Sequence, residues 1–202
     1  MKVIGLTGRA AAGKNAVSDA FAKVGCAVID VDQIGHRVLH QSQGPLIETF
    51  GPDIVKEGKV DRKALGVLVF SDPEKLRSLE AITHPAMVSE CKRLIREAEK
   101  EGHAALVINA ALLFRMQLHQ LCDHVVFVKA SLYSRFLRSK RRDSITLKRF
   151  LARERAQKDI RPDVFPPSLP VYVLCNSSDK VLIHRQVTEY CATIGIGVSS
   201  SR

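Results

Sequence analysis

The chain alternates short apolar runs with longer segments in which apolar residues recur every three or four positions. The apolar runs predict β-strands at residues 2–6, 26–32, 105–114, 124–130 and 171–176. The periodic segments predict helices at residues 13–24, 62–70, 73–98 (interrupted at Pro85), 131–142, 146–158 and 180–193. Strands that alternate with helices are typical of a parallel sheet covered on both faces, so the pattern predicts an α/β fold.

Residues 31–100 are too many for a simple crossover between two strands, and they carry mostly helical patterns. An insert at this place is expected over the carboxyl ends of the strands, where open α/β sheets bind their substrates. We therefore expect a single domain over residues 1–202. Its predicted parts are a core at 1–30, 101–135 and 165–202, a helical insert at about 31–100 and a helical lid at about 136–164.

Composition narrows the class of protein. The hydrophobic content of 46% suffices for a sizeable core, while no apolar window reaches the length of a membrane span. The five cysteines are scattered and form no C-x-x-C pair, which favours reduced thiols in a cytoplasmic protein and no cysteine metal site.

The net charge of +10 is concentrated in one segment. Residues 135–158 contain ten Lys or Arg against only Asp143 and Glu154. A local basic cluster indicates a polyanionic partner, either a nucleotide phosphate chain or a nucleic acid. The aromatic residues among these charges are Phe136 and Phe150, too few for good base stacking, so nucleic acid is the less favoured partner.

The first predicted strand leads directly into a glycine loop, GRAAAGKN, at residues 8–15. Gly8, Gly13 and Lys14 fit the phosphate-loop pattern G-x-x-x-x-G-K-[ST], and the strand before and helix after the loop provide the context that the pattern requires. Backbone amides of such a loop surround a β-phosphate, and the lysine reaches the β- and γ-phosphates. Asn15 stands where a magnesium-binding hydroxyl is expected.

Two acids, Asp30 and Asp32, follow the second apolar run. One of them could accept a proton from a substrate hydroxyl, or both could help to position a metal ion. Asp32 is equally well placed to cap a helix that runs to Leu39. The residues alone leave these alternatives open.

Several longer stretches resemble the dephospho-CoA kinase family, P-loop kinases that complete coenzyme A synthesis. The resemblance runs nearly end to end. It rests on the stretches IGLTG…AGK (4–14), VIDVDQIGHRV (28–38), FGPDI (50–54), GKVDRKALGVLVFSDPEKLRSLEAITHP (58–85), ALLF (111–114), CDHVVFV (122–128), RSKRRD (138–143), AQ (156–157) and CNSS (175–178).

The resemblance implies a P-loop fold with a five-stranded parallel sheet flanked by helices, a CoA-binding insert and a basic lid. It implies ATP and Mg²⁺ at Gly8, Ala11, Ala12, Gly13, Lys14, Asn15 and Ala16, with adenine near Asn176. It implies dephospho-CoA near Asp32, Arg37, Phe50, His84 and Pro85, with Asp32 as general base. Lys14 would stabilise the transferring phosphate together with lid residues Arg138 and Arg142, and Asn15 would be the metal ligand.

This chain departs from the family pattern at a few informative positions. Asn15 replaces a Ser or Thr, and Asn109 stands where a carboxylate is common. Ala111 replaces a usual proline, Arg115 replaces a usual acid, and Ile160 stands where an arginine is expected. We expect weaker magnesium binding with activity retained, since ATP oxygens and water supply much of a magnesium shell.

Two other functions remain as alternatives. One is another small P-loop nucleoside or nucleotide kinase, which the substrate-side stretches disfavour. The other is a catalytically weakened homologue that binds nucleotide or CoA, which Asn15 supports. We expect a monomer or a small homo-oligomer and no membrane association.

Overall fold

The computed structural model of the protein describes residues 1–176 and 179–197. The strands within these residues are β1 (Lys2–Thr7), β2 (Ala27–Asp30), β3 (Val55–Lys56), β4 (Lys59–Val60), β5 (Ala105–Asn109), β6 (His124–Lys129) and β7 (Val171–Cys175). The helices are α1 (Lys14–Lys23), α2 (Val31–Gln41), α3 (Gln43–Phe50), α4 (Arg62–Phe70), α5 (Pro73–Lys100), α6 (Leu132–Asp143), α7 (Leu147–Ala156) and α8 (Lys180–Thr193). In the described part of the chain, no helix is long and apolar enough to cross a bilayer.

Five strands form one sheet in the order β2-β5-β1-β6-β7, and helices flank it. β1 pairs in parallel with β5 on one side and β6 on the other, and β6 pairs in parallel with β7. The central position of β1 explains why its residues are almost all apolar and buried: a strand covered on both faces has no solvent side. The predicted α/β fold with a five-stranded parallel sheet is confirmed.

The main core lies between the sheet and helices α1 and α8. Residues of β1, β5, β6 and β7 meet buried residues of both helices there, and Phe21 of α1 contacts Tyr190 of α8 edge to face. Burying side chains of this size contributes about 1.5–3 kcal/mol each. Since β1 and α1 both pack into this core, the loop that joins them is held at both ends.

The chain divides into two compact units. The first consists of Met1–Ile29 and Leu94–Arg202 and contains the five-stranded sheet. The second consists of Asp30–Arg93, with helices, the small β3–β4 hairpin and a separate core around Leu46, Ile54 and Leu65.

Three details of the predicted elements are wrong. Residues 31–32 belong to α2 and not to a strand, because Asp30 caps that helix. Residues 110–114 lie beyond the end of β5, with turns at 111–114. Ala110 and Leu113 are apolar because they are buried, at 2% and 1% exposure, whereas Phe114 is 40% exposed. Pro85 lies inside α5 without ending it. Pro85 lies on an exposed side of the helix. Water can therefore donate a hydrogen bond to the backbone carbonyl that has lost its helical partner, because proline has no N–H.

Candidate active site

The loop between β1 and α1 has a backbone that requires glycine at two positions. Gly8 and Gly13 have φ angles of +152° and +94°. A Cβ at Gly13 would lie 2.0 Å from Asn176 Nδ2, and a Cβ at Gly8 would lie 2.5 Å from the Val128 carbonyl oxygen. Both glycines are therefore required by conformation and by close approach.

Lys14 is the first residue of α1 and reaches back across the loop. Its Nζ donates to the Gly8 carbonyl at 3.4 Å. Ala16 packs against the core of the first unit, which fixes the first turn of the helix. The loop therefore combines a lysine ammonium group with the positive end of a helix, the arrangement that binds phosphate in proteins.

The side chains of Arg138 and Asn176 form hydrogen bonds with backbone carbonyls of the loop. Arg138 Nη1 donates to the carbonyls of Ala11 and Ala12 at 3.2 and 3.0 Å, and its Nη2 donates to Asn176 Oδ1 at 3.2 Å. Asn176 Nδ2 donates to the Ala12 carbonyl at 2.8 Å. A trans peptide points its C=O and N–H in opposite directions, so these contacts turn the Gly13 amide away from Arg138. Ser177 and Ser178, the rest of the stretch expected near adenine, lie outside the described residues.

Arg142 differs from Arg138, although both belong to α6. Arg142 is 65% exposed and bonds both oxygens of Asp143 at 2.8 and 2.9 Å. This contact, with a second one from Arg153, lowers the pKa of the Asp143 carboxyl to about 2. The structure therefore brings Arg138 to the loop, whereas Arg142 pairs with its neighbour.

Two asparagines stand together beside the loop. Asn109 Nδ2 donates to Asn15 Oδ1 at 3.5 Å. Asn109 is 6% exposed, and its buried Oδ1 has no hydrogen-bond partner among the described residues. Amide oxygens are hard, neutral donors of the kind that magnesium and calcium accept, so the pair fits a cation whose remaining ligands are phosphate oxygens and water.

The side chains of Asp30 and Asp32 are used differently at the start of α2. Asp30 Oδ1 accepts from the amides of Asp32 and Gln33 at 3.0 and 3.3 Å and caps α2. The interpretation of Asp32 as the cap is therefore wrong by two residues. Asp32 lies in the first turn of α2 with an exposed side chain.

The other residues expected at dephospho-CoA lie on three helices of the second unit. α2 and α5 are adjacent, since Arg37 of α2 lies 3.8 Å from Glu90 of α5. His84 is also on α5, where burial lowers its pKa despite the opposing effect of Glu80. Phe50 of α3 packs against the core of this unit. The adjacent helices α2 and α5 therefore carry four of these residues, namely Asp32, Arg37, His84 and Pro85. Phe50 is partly buried in the core of the unit.

Sequence reasoning missed a cluster that joins α7 to the loop. Glu154 is bound by Arg135 and Arg9, and Gln157 by the Ala10 amide. Glu154 is one of only two acids among the ten Lys and Arg residues of the basic segment. Its presence there was the signal in the sequence that could have indicated an ion pair.

The unusual Arg115 has a partner in the same region. It bonds both oxygens of Asp159 at 2.5 and 2.6 Å and the Ala156 carbonyl at 2.9 Å. The Arg115 contact lowers the pKa of the Asp159 carboxyl. The departure at this position therefore anchors the end of α7.

Known proteins of one family match this chain over most of its length. The dephospho-CoA kinase family model matches residues 2–164. The dephospho-CoA kinase of Borreliella burgdorferi is 38% identical over 130 residues, and the match covers 63% of this chain and 62% of that protein. The enzyme of Carboxydothermus hydrogenoformans is 35% identical over 168 residues, or 81% of this chain and 82% of that one.

A solved structure agrees with the fold. Dephospho-CoA kinase from Campylobacter jejuni superposes with a TM-score of 0.72 at 24% sequence identity, covering 98% of this chain and 99% of that one. The family model spans the phosphate loop, all of the second unit and helices α6 and α7. The chain therefore belongs to the dephospho-CoA kinase family.

Proposed function

We propose that this protein transfers the γ-phosphate of ATP to the ribose 3′-hydroxyl of dephospho-CoA, the final step of coenzyme A synthesis. The observation that carries the proposal is the preformed loop at residues 8–15 in a chain whose family match continues through the whole second unit. The proposed place of action is the cytoplasm, and the proposed assembly is a monomer or a small homo-oligomer.

The ATP side of the mechanism uses groups of the first unit. Loop amides and the amino end of α1 would bind the β-phosphate, and Lys14 would leave the Gly8 carbonyl for the β- and γ-phosphate oxygens. Adenine would lie near Asn176. Arg138 would keep Ala11 and Ala12 in place and add positive charge beside the phosphates.

The acceptor side uses groups of the second unit. Asp32 would accept the proton of the 3′-hydroxyl as that oxygen attacks the γ-phosphorus. Arg37 would give up its 3.8 Å contact with Glu90 to bind an anionic group of dephospho-CoA. Phe50, His84 and Pro85 would contact the acceptor, His84 in its neutral form, because burial lowers its pKa.

Mg²⁺ is the proposed metal ion, held by Asn15 with Asn109 beside it. A magnesium ion held there would supply positive charge to neutralise the phosphates during transfer. Neither asparagine brings a negative charge to the ion, so we expect higher magnesium requirements than a hydroxyl and carboxylate pair would have. Arg142 would turn from Asp143 to the transferring phosphate when the lid closes.

The same two asparagines favour a second candidate, a homologue that binds nucleotide and CoA with little turnover. A steady-state assay with ATP and dephospho-CoA, following ADP release across a magnesium titration, separates the two. Turnover that requires dephospho-CoA and saturates with magnesium supports the kinase. Binding of both substrates without turnover at any magnesium concentration supports the weakened homologue, and phosphorylation of other nucleosides in preference to dephospho-CoA would contradict both.

A further inference from the structure

A buried ion cluster lies behind the first half of the phosphate loop. Both carboxylate oxygens of Glu154 in α7 accept hydrogen bonds from the guanidinium group of Arg135 in α6, at 2.6 and 2.5 Å. The same carboxylate lies 3.4 Å from Nη1 of Arg9, the second residue of the loop. The Arg135 and Glu154 side chains are only 6% and 10% exposed, so water does little to screen this contact.

Two further hydrogen bonds join the loop to the end of α7. Arg9 Nε donates to the Ile160 carbonyl at 3.0 Å, and the Ala10 amide donates to Gln157 Oε1 at 2.9 Å. Arg9 therefore directs its guanidinium group toward Glu154 of α7 and toward Ile160, four residues beyond the end of that helix. Ala10, whose neighbour Ala11 has a φ of +58°, gains a side-chain acceptor for its amide.

Stability alone is a poor explanation for such a cluster. Removing the Arg135 guanidinium and the Glu154 carboxylate from water costs much of the attraction between them, and apolar side chains of similar volume would often stabilise the fold as well. Apolar contacts do not fix an orientation, whereas the hydrogen bonds of a bidentate arginine and of an amide acceptor have defined lengths and angles. The cluster is therefore suited to setting geometry.

We propose that Gln157 and Glu154 are positioning residues for ATP. They hold Arg9 and Ala10 against the end of α7, and through them they set the path of residues 11–15, the rest of the phosphate loop. The inference rests on the proposed function, because it takes this loop to be the nucleotide phosphate site. Neither residue is a catalytic one, since each acts through the loop.

The test uses Gln157→Met, which keeps the length of the side chain and removes the acceptor. Calorimetric titration with ADP and magnesium should show binding weaker by about five- to tenfold, the value of one lost hydrogen bond. KM for ATP should rise by the same factor, whereas kcat and KM for dephospho-CoA should stay within about twofold, because acceptor contacts are unchanged. Gln157→Glu, whose carboxylate still accepts from Ala10, should bind ADP more tightly than Gln157→Met.

Two other variants complete the experiment. Gln120→Met changes an exposed glutamine of the first unit and should leave ADP affinity unchanged. Arg9→Lys keeps the charge but loses the bond to Ile160, so it should weaken ADP binding even if Gln157→Met fails to fold. Unchanged or tighter ADP binding in Gln157→Met, or equal binding by the Met and Glu variants, overturns the positioning role. Absence of ADP binding in the unaltered protein would instead overturn the proposed function itself.

Discussion

The two units of the protein prepare their polar groups in different ways. Around the phosphate loop, Arg138, Asn176 and Gln157 are bonded to loop backbone atoms at 2.8–3.2 Å. In the second unit, Asp32 and Arg37 have exposed side chains, and the contact of Arg37 with Glu90 is a long 3.8 Å.

This difference indicates that the geometry of the phosphate loop is set before a ligand binds, whereas the exposed side chains of the second unit are not yet ordered. Loop carbonyls and amides that stay bonded to side chains need little rearrangement on binding, which lowers the entropic cost of association. Exposed Asp and Arg side chains keep their rotamer freedom until a ligand orders them. We therefore expect variants of the first unit to change nucleotide binding and variants of the second unit to change the reaction with the acceptor.

The largest effect is expected from Asp32→Asn in the second unit. Loss of a general base should lower kcat by about 10³-fold, with ADP affinity unchanged, as steady-state kinetics and calorimetry would measure. Asp30→Asn is the matched control, because asparagine caps helices as well as aspartate does, so its kcat should stay near that of the unaltered protein. Equal losses in both variants would contradict the assignment of the base to Asp32.

On the first unit, Arg138→Lys should have the next largest effect. A lysine cannot bond the Ala11 and Ala12 carbonyls and Asn176 together, and losing charged hydrogen bonds worth about 2 kcal/mol corresponds to about thirtyfold in kcat/KM for ATP. Arg142→Lys, on the exposed side of the same helix, serves as the comparison, with about threefold expected from the more tolerant site. The reverse order would mean that the conformation with Arg142 turned inward dominates catalysis.

A moderate effect is expected at the metal position. Asn15→Thr should lower the magnesium concentration for half-maximal rate by about tenfold, the lower range of effects of groups around a metal site. Binding of ADP without magnesium should not change, which separates a metal effect from a general effect on the loop. An unchanged or higher magnesium requirement would show that Asn109 and Asn15 already act together as an adapted pair.

The smallest effect concerns His84 and the pH dependence of stability. Burial lowers its pKa from the usual 6.5, so the unfolded chain binds a proton at higher pH than the folded one. Stability should therefore fall as the pH drops through 6.5, by about 2 °C in Tm between pH 7.5 and 5.5. His84→Asn should remove this part of the pH dependence, whereas His36→Asn, at an exposed position of α2, should keep it. The same slope in both variants would exclude His84 as the cause.

The sequence by itself determined the alternation of strands and helices in the first unit, the phosphate loop and the family. These depend on local information: apolar periodicity, two glycines with a lysine at fixed spacing, and contiguous stretches such as residues 58–85. The loop is predictable for the same reason, since Gly8 and Gly13 lie within six residues of Lys14.

Only the tertiary structure decided which charged residues support the loop. Arg138 and Arg142 are indistinguishable in the sequence, yet one meets residues 126 and 127 positions away while the other meets its neighbour. The passage of α5 through Pro85 and the burial of Glu154 between two arginines likewise depend on partners and packing. Periodicity predicts that a helix forms, whereas the direction of each side chain depends on what the fold places opposite it.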